Sequence, residues 1–166
     1  AVGANVPIPA GASTIDATGK WVTPGLIHAD AAAGTGVAGL QGFGEATRQG
    51  DVNPSFDLSL GLDPEAFTIP ITRTGGVTTG VLMPNGPFIP GQAVVVDYDG
   101  ERTEDMIVKT GAALHIKLDD GAKAAGGGAR AGTIARIKRL FQDALEYDRR
   151  KLEYRRGATQ PFVAPP

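Results

Sequence analysis

The sequence predicts an α/β fold, and three features predict it. Apolar, β-branched runs bounded by Gly and Pro recur at residues 25–33, 75–83 and 93–98. A single long segment, Ala129 to Arg155, carries apolar residues at helical spacing. The first run also ends in His28-Ala29-Asp30, and polar residues at the carboxyl end of a strand are where α/β folds carry their chemistry.

Residues 1–23 hold short apolar pieces between turn signals at Pro7, Pro9, Gly11 and Gly19, with a β-prone run at Trp21 to Thr23. Pro24-Gly25 interrupts pairing, because proline lacks an N–H and glycine tolerates unusual backbone angles. Residues 34–68 are rich in Gly, Asn, Asp and Pro and show little periodicity; so long a connection implies a functional, disordered or interface segment. Residues 75–83 then read as a buried parallel strand, and Asn85-Gly86-Pro87 turns the chain.

The next strand, Ala93 to Tyr98, ends at Asp99-Gly100, a hairpin signal with Met106 to Lys109 as its partner, giving a β-hairpin over about 91–109. Ala112 to Leu118 alternates Leu114, Ile116 and Leu118 with His115, Lys117 and Asp119, as a half-exposed strand does. A Gly/Ala linker, 121–128, leads to the long helix, where Ile134, Ile137, Phe141, Ala144, Leu145 and Leu152 form one stripe. Basic residues from Arg149 to Arg156 complement the negative end of its dipole, Gly157 stops it, and Pro161, Pro165 and Pro166 prevent its resumption.

Composition excludes several classes. The net charge of −2 gives no overall footprint for nucleic acid. No apolar run approaches the ~20 residues of a membrane span. Zero cysteines rule out disulfides, a thiol nucleophile and thiolate metal ligands.

The stretch from Thr14 to Ile27, with Trp21-Val22-Thr23-Pro24-Gly25-Leu26-Ile27 at its core, resembles the segment that leads into the first barrel strand of the amidohydrolase superfamily. Asp51-Val52-Asn53-Pro54, Ile69-Pro70, Arg73, Gly75-Gly76-Val77-Thr78-Thr79, Gly91-Gln92-Ala93, Ala113-Leu114-His115 and Arg130 are similar to a divergent branch of amidohydrolase-like proteins lacking the first-strand histidines. The resemblance implies the front part of a (β/α)8 TIM-like metallo-hydrolase barrel with a returning strand of a small β-sandwich. Residues 1–23 would end the sandwich and 24–166 would begin the barrel. A complete barrel needs roughly 250 residues, so the rest of this one is expected elsewhere, and the opening Ala1-Val2-Gly3 reads as mid-chain sequence.

In active members a His-x-His pair on that strand binds the catalytic metal, and here the pair falls on Asp30 and Ala32. The metal-ligand candidates left are His28 and Asp30, two apart and so on one face of a strand, able in principle to help hold zinc. Further ligands would come from later strands beyond residue 166. The implied function is that of an amidohydrolase-like protein, a hydrolase fold for C–N bonds other than peptide, with a degenerate metal site. Such a protein would be weakly active or inactive and kept as a binding or structural subunit. The alternative is an active metal-dependent amidohydrolase using those later ligands. The expected partner is another chain or the missing remainder of the barrel, docked through loop 34–68, and exported members of the branch favour a periplasmic over a cytoplasmic setting.

Other motifs carry less. His115 reads as a structural histidine bonded to a backbone carbonyl. Gly126-Gly127-Gly128 lacks the Gly-Lys-Ser/Thr of a phosphate loop and reads as flexible linker. The basic run with Tyr147 and Tyr154 reads as a solvated helix end whose tyrosines pack.

Overall fold

The computed structural model describes residues 3, 6–35 and 50–156. The chain is a mixed α/β structure built on one four-stranded sheet. Its strands are β1 (Leu26–Ala31), β2 (Val77–Leu82), β3 (Gly91–Asp97) and β4 (Ile107–His115), and the helices are α1 (Thr68–Thr74), α2 (Thr103–Met106) and α3 (Arg130–Arg155). Residues 36–49 of the expected long loop, and the helix stop from Gly157 through Pro166, lie outside the described residues.

Spatial order equals sequence order, β1-β2-β3-β4. β1 pairs parallel to β2, whereas β2–β3 and β3–β4 are antiparallel. A parallel pair requires a crossover. Here it runs through a 3-10 turn at Leu58–Gly61 and then α1, which accommodates Pro70 in its first turn, where the missing N–H is not needed. Gly76, at φ +80°, ends α1 in the left-handed conformation and turns the chain into β2. Gly25 is equally constrained: a Cβ there would stand 2.0 Å from the Thr78 hydroxyl oxygen. Proline and glycine thus set where β1 begins, and Leu26 N–H opens it with a 2.9 Å bond to Gly76 O.

The core lies on one face of the sheet. Leu82, Val94, Val96 and Tyr98 pack against Leu58, Leu62 and Ile69 from the crossover, with Met106 closing the side. Each fully buried aliphatic side chain contributes about 1.5–3 kcal/mol. Residues 50–68 therefore belong to the fold in a way their composition did not predict. Backbone bridges Val52↔Ile89 and Asp57↔Gln92 tie them to the body, and the buried Leu58 and Leu62 belong to its core.

A second, smaller cluster of Phe88, Ile89 and Ala122 receives Ile137 and Leu140 of α3. Only this first part of α3 is docked. Phe141, Leu145 and Leu152 are exposed, so the expected stripe is real but mostly uncovered.

Three expectations need correction. Asp99-Gly100 does not form a tight hairpin: residues 98–106, including α2, connect β3 to β4. Residues 107–109 and 112–115 are not separate strands but one, β4, with register irregularities opposite Ala93–Val96. Gly111, at φ +54°, lies within that irregular stretch, and a Cβ there would stand 2.9 Å from Gln92 Oε1. The 121–128 linker is not slack either. Gly121–Gly126 is a 3-10 helix pressed on α3, where a Cβ at Gly126 would lie 2.1 Å from Thr133 N, and one at Gly132 would lie 1.9 Å from Gly126 O. Two glycines let these backbones touch. Residues 6–23 form turns at Pro9–Ala12 and Ala17–Lys20 and no strand among the described residues.

Candidate functional site at the carboxyl edge of the sheet

Because β3 is antiparallel to both neighbours, β4 runs in the same direction as β1 and β2. The carboxyl ends of β1, β2 and β4 therefore share one edge of the sheet. Asp30-Ala31, Leu82 through Asn85, and His115 through Lys117 gather there. Chemistry in α/β sheets concentrates at such edges.

On β1, His28 stands opposite Gly80 and Ala31 opposite Leu82, with an irregularity between the two pairs. His28 and Asp30 are both exposed, and β1 pairs only with β2 among the described residues. Neither makes a hydrogen bond or ion pair among the described residues. Ala32 is exposed as well and brings no ligand atom.

A zinc ion takes four ligands, three of them from protein even in open catalytic sites. No group of three or more His, Cys, Asp or Glu side chains is placed to share an ion among the described residues. His115, the other histidine, ends β4, three strand spacings across the sheet, about 14 Å, and is also offset along it, since His28 is level with Val96 and His115 with Gly91. Among the described residues His28 and Asp30 offer two ligand side chains, one short of the three that protein supplies to an open zinc site.

At the far side of the same edge the polar groups are tied together. His115 Nδ1 lies 3.0 Å from Pro84 O, as the reading of a histidine held by a backbone carbonyl requires. Lys117 Nζ donates to Asn85 Oδ1 at 3.2 Å and lies 3.6 Å from Asp119 Oδ2. Asp119 accepts from Ala122 N–H at 2.9 Å, which holds its carboxyl below the usual range. Sequence reasoning registered Lys117 beside His115 but missed Asn85. The signal was the polar Asn85 following the apolar end of β2.

Tyr98 was likewise passed over as a strand terminus. It is 1% exposed, its hydroxyl has no partner among the described residues, and burial pushes its pKa up to about 12. The ring needs Gly80 beneath it, where a Cβ would come 2.3 Å from the hydroxyl.

Beside the edge, a groove of about 580 Å³ is lined by Leu118, Asp119, Asp120, Lys123, Arg130, Thr133 and Ile134. Its charges are mixed, with Lys123 paired to Asp120, so it shows no selective attraction for anions at the start of α3. The basic end of that helix is exposed at Arg149, Lys151 and Arg155, while Arg150 bonds to Glu146 and Glu153. The side chain of Tyr154, expected to pack with Tyr147, lies outside the described residues. No described helix is long and apolar enough to cross a membrane.

The fold matches the crystal structure of an amidohydrolase from Thermotoga maritima MSB8, with a TM-score of 0.79 and 25% sequence identity. The similarity covers 99% of this chain and 45% of that one, so this chain spans less than half of its structural relative. No family model and no curated protein matches the sequence.

Proposed function

We propose that this amidohydrolase-like chain forms the first part of a (β/α)8 barrel whose metal site has degenerated, and that it serves as a binding or structural subunit. Structural similarity to an amidohydrolase supports the ancestry. The observation that supports the degenerate site is the end of β1, where His28 and Asp30 gather no third ligand among the described residues, and where the sequence resemblance lays the family's paired histidines on Asp30 and Ala32.

The shape of the chain supports a covering partner, either the remainder of a barrel or another chain. Among the described residues β1 has an unpaired edge, Ile27 on it is 71% exposed, and within the 34–68 segment Leu60 is 88% exposed beside the buried Leu58. Residues 1–23, irregular and exposed over most of their described length, suit a segment that belongs to a neighbouring small sandwich.

A second reading keeps the enzyme. His28 and Asp30 are open to ligands supplied from outside the chain, and a site so completed would have the chemistry of a metal-dependent hydrolase. Elemental analysis of the longest natural form, with and without His28→Ala and Asp30→Ala, separates the two. Metal-free protein that stays folded supports the subunit; stoichiometric zinc, iron or manganese lost in the variants overturns it and calls for substrate screening.

A further inference from the structure

The chain has three asparagines, and the residue that follows each sets its chemistry apart. Asn53 precedes Pro54, which has no N–H to lose, and Asn5 precedes Val6, whose branched Cβ crowds its own nitrogen. Asn85 precedes Gly86, whose nitrogen no side chain shields. An unshielded backbone nitrogen directly after an asparagine can close a five-membered imide on the side-chain carboxamide.

The fold brings the two reacting groups together and holds them there. Gly86 N lies 2.9 Å from Asn85 Oδ1. Pro84, fully buried, and Pro87 bracket the dipeptide and restrict its backbone. The chain leaving β4 runs alongside: His115 Nδ1 lies 3.0 Å from Pro84 O, and Lys117 N–H donates to Phe88 O at 2.8 Å. This alignment brings Lys117 Nζ to 3.2 Å from the same Asn85 Oδ1. Asp119 Oδ2 shares the ammonium from farther off, at 3.6 Å. The lysine side chain is 28% exposed, so water screens its contact with Oδ1 less than on the open surface.

We propose that Asn85-Gly86 is a self-modification site, at which the Asn85 carboxamide deamidates with Lys117 as its electrophilic catalyst. The Gly86 nitrogen gives up its proton to hydroxide, and its electron pair forms the bond to Asn85 Cγ. Negative charge then collects on Oδ1, where the Lys117 ammonium already stands. The Cγ–Nδ2 bond breaks, and Nδ2 leaves as ammonia with a proton taken from water. Water opens the imide at either carbonyl, giving aspartate or, with the main chain rerouted through Cβ and Cγ, isoaspartate. Nothing is oxidised or reduced, and solvent water is the co-reactant. One negative charge thereby appears beside Lys117 at the carboxyl edge of the sheet. The isoaspartyl product also lengthens the link between Pro84, which holds His115, and Phe88, which holds Lys117.

Peptide mapping by mass spectrometry, on the longest natural form aged in mildly alkaline buffer, tests the site, with electron-transfer fragmentation to tell aspartate from isoaspartate. The expected result is replacement of NH2 by OH in the Asn85 peptide, ahead of Asn5 and Asn53, with ammonia released in equal amount. Lys117→Met is expected to slow the conversion about tenfold, because it removes the donor from the oxygen on which charge develops. Unfolding the wild type in guanidinium chloride is expected to slow it likewise. That comparison needs no variant, so a failure of Lys117→Met to fold leaves the test intact. Asn85 that stays whole while the chain ages overturns the site. So does conversion at one rate in the folded wild type, the folded variant and the unfolded chain, which would leave the dipeptide's own reactivity and no role for Lys117.

Discussion

Arg136 reaches out of α3 to grip Asp51 across 85 residues of chain, with Nη2 donating to Oδ1 at 3.0 Å and Nη1 to Oδ2. The same guanidinium donates to Ala125 O at 2.8 Å and lies over the Phe88 ring, 5.3 Å from its centre. One planar cation thus joins the crossover, the 3-10 helix and the second apolar cluster. Because both side chains are about a third exposed, solvent screens the pair, and Arg136→Ala is expected to cost about 1–2 kcal/mol. Lysine offers no fork, so Arg136→Lys should recover little. Urea denaturation of both variants checks this, with Asp51→Asn completing a double-mutant cycle.

Gly126→Ala and Gly132→Ala should each destabilise by about 2 kcal/mol or more, since the added methyl meets backbone, which cannot move aside as a side chain does. Loss of helical circular dichroism at a lowered melting temperature is the expected signature.

Along α3 the two halves should respond differently. Ile137→Ala and Leu140→Ala remove packing from Phe88 and Ile89 and are expected to cost about 1–2 kcal/mol, below the fully buried range because both are only partly buried. Leu145→Glu, on the uncovered part, should change the stability of this chain by no more than about 0.5 kcal/mol. Equal losses at Leu145 and Leu140 would show that the distal half is covered within the chain itself.

Tyr98 sets an alkaline limit. Its pKa is raised from 10.0 to about 12 in the folded chain by burial, so the folded state holds the phenolic proton more tightly than the unfolded one. The associated stability is fully present below pH 10 and is lost as pH rises towards about 12. Tyr98→Phe removes this loss. It should also be neutral or slightly stabilising at pH 7, by up to about 1 kcal/mol, because it deletes a hydroxyl with no partner among the described residues. Denaturation curves for the two proteins from pH 7 to about 11 decide the matter.

Periodicity and breakers made the strands and the long helix legible. Pro24-Gly25 marked the start of β1, the β-branched runs gave β2 and β3, and helical spacing placed α3 to within a residue at its start. Tertiary relations were not legible. Nothing in the composition of residues 50–68 says that Leu58 fills a core, because a segment paired by isolated bridges needs no period. Gly126 looks like slack in a sequence and proves, with Gly132, to let the 3-10 helix and α3 approach backbone to backbone. The site divides in the same way. His115 on a carbonyl was readable from an isolated histidine at a strand end, but its proximity to Pro84 depends on a sheet register that no local pattern encodes.

The strand carrying His28 and Asp30 is also the one the chain acquires at the greatest entropic distance. Val96 and Ile107 meet across 11 residues, whereas Leu26 and Val77 meet across 51, and closing the longer loop costs about 1.4 kcal/mol more. Five of the six residues of β1 stay exposed after it docks, so little burial offsets that difference. The order of assembly follows: β2, β3 and β4, joined by short connections, precede β1, and β1 is released first on opening. Amide exchange should therefore be fastest on β1, and whatever covers its free edge acts as the final fastener of the fold as well as a neighbour of the candidate site.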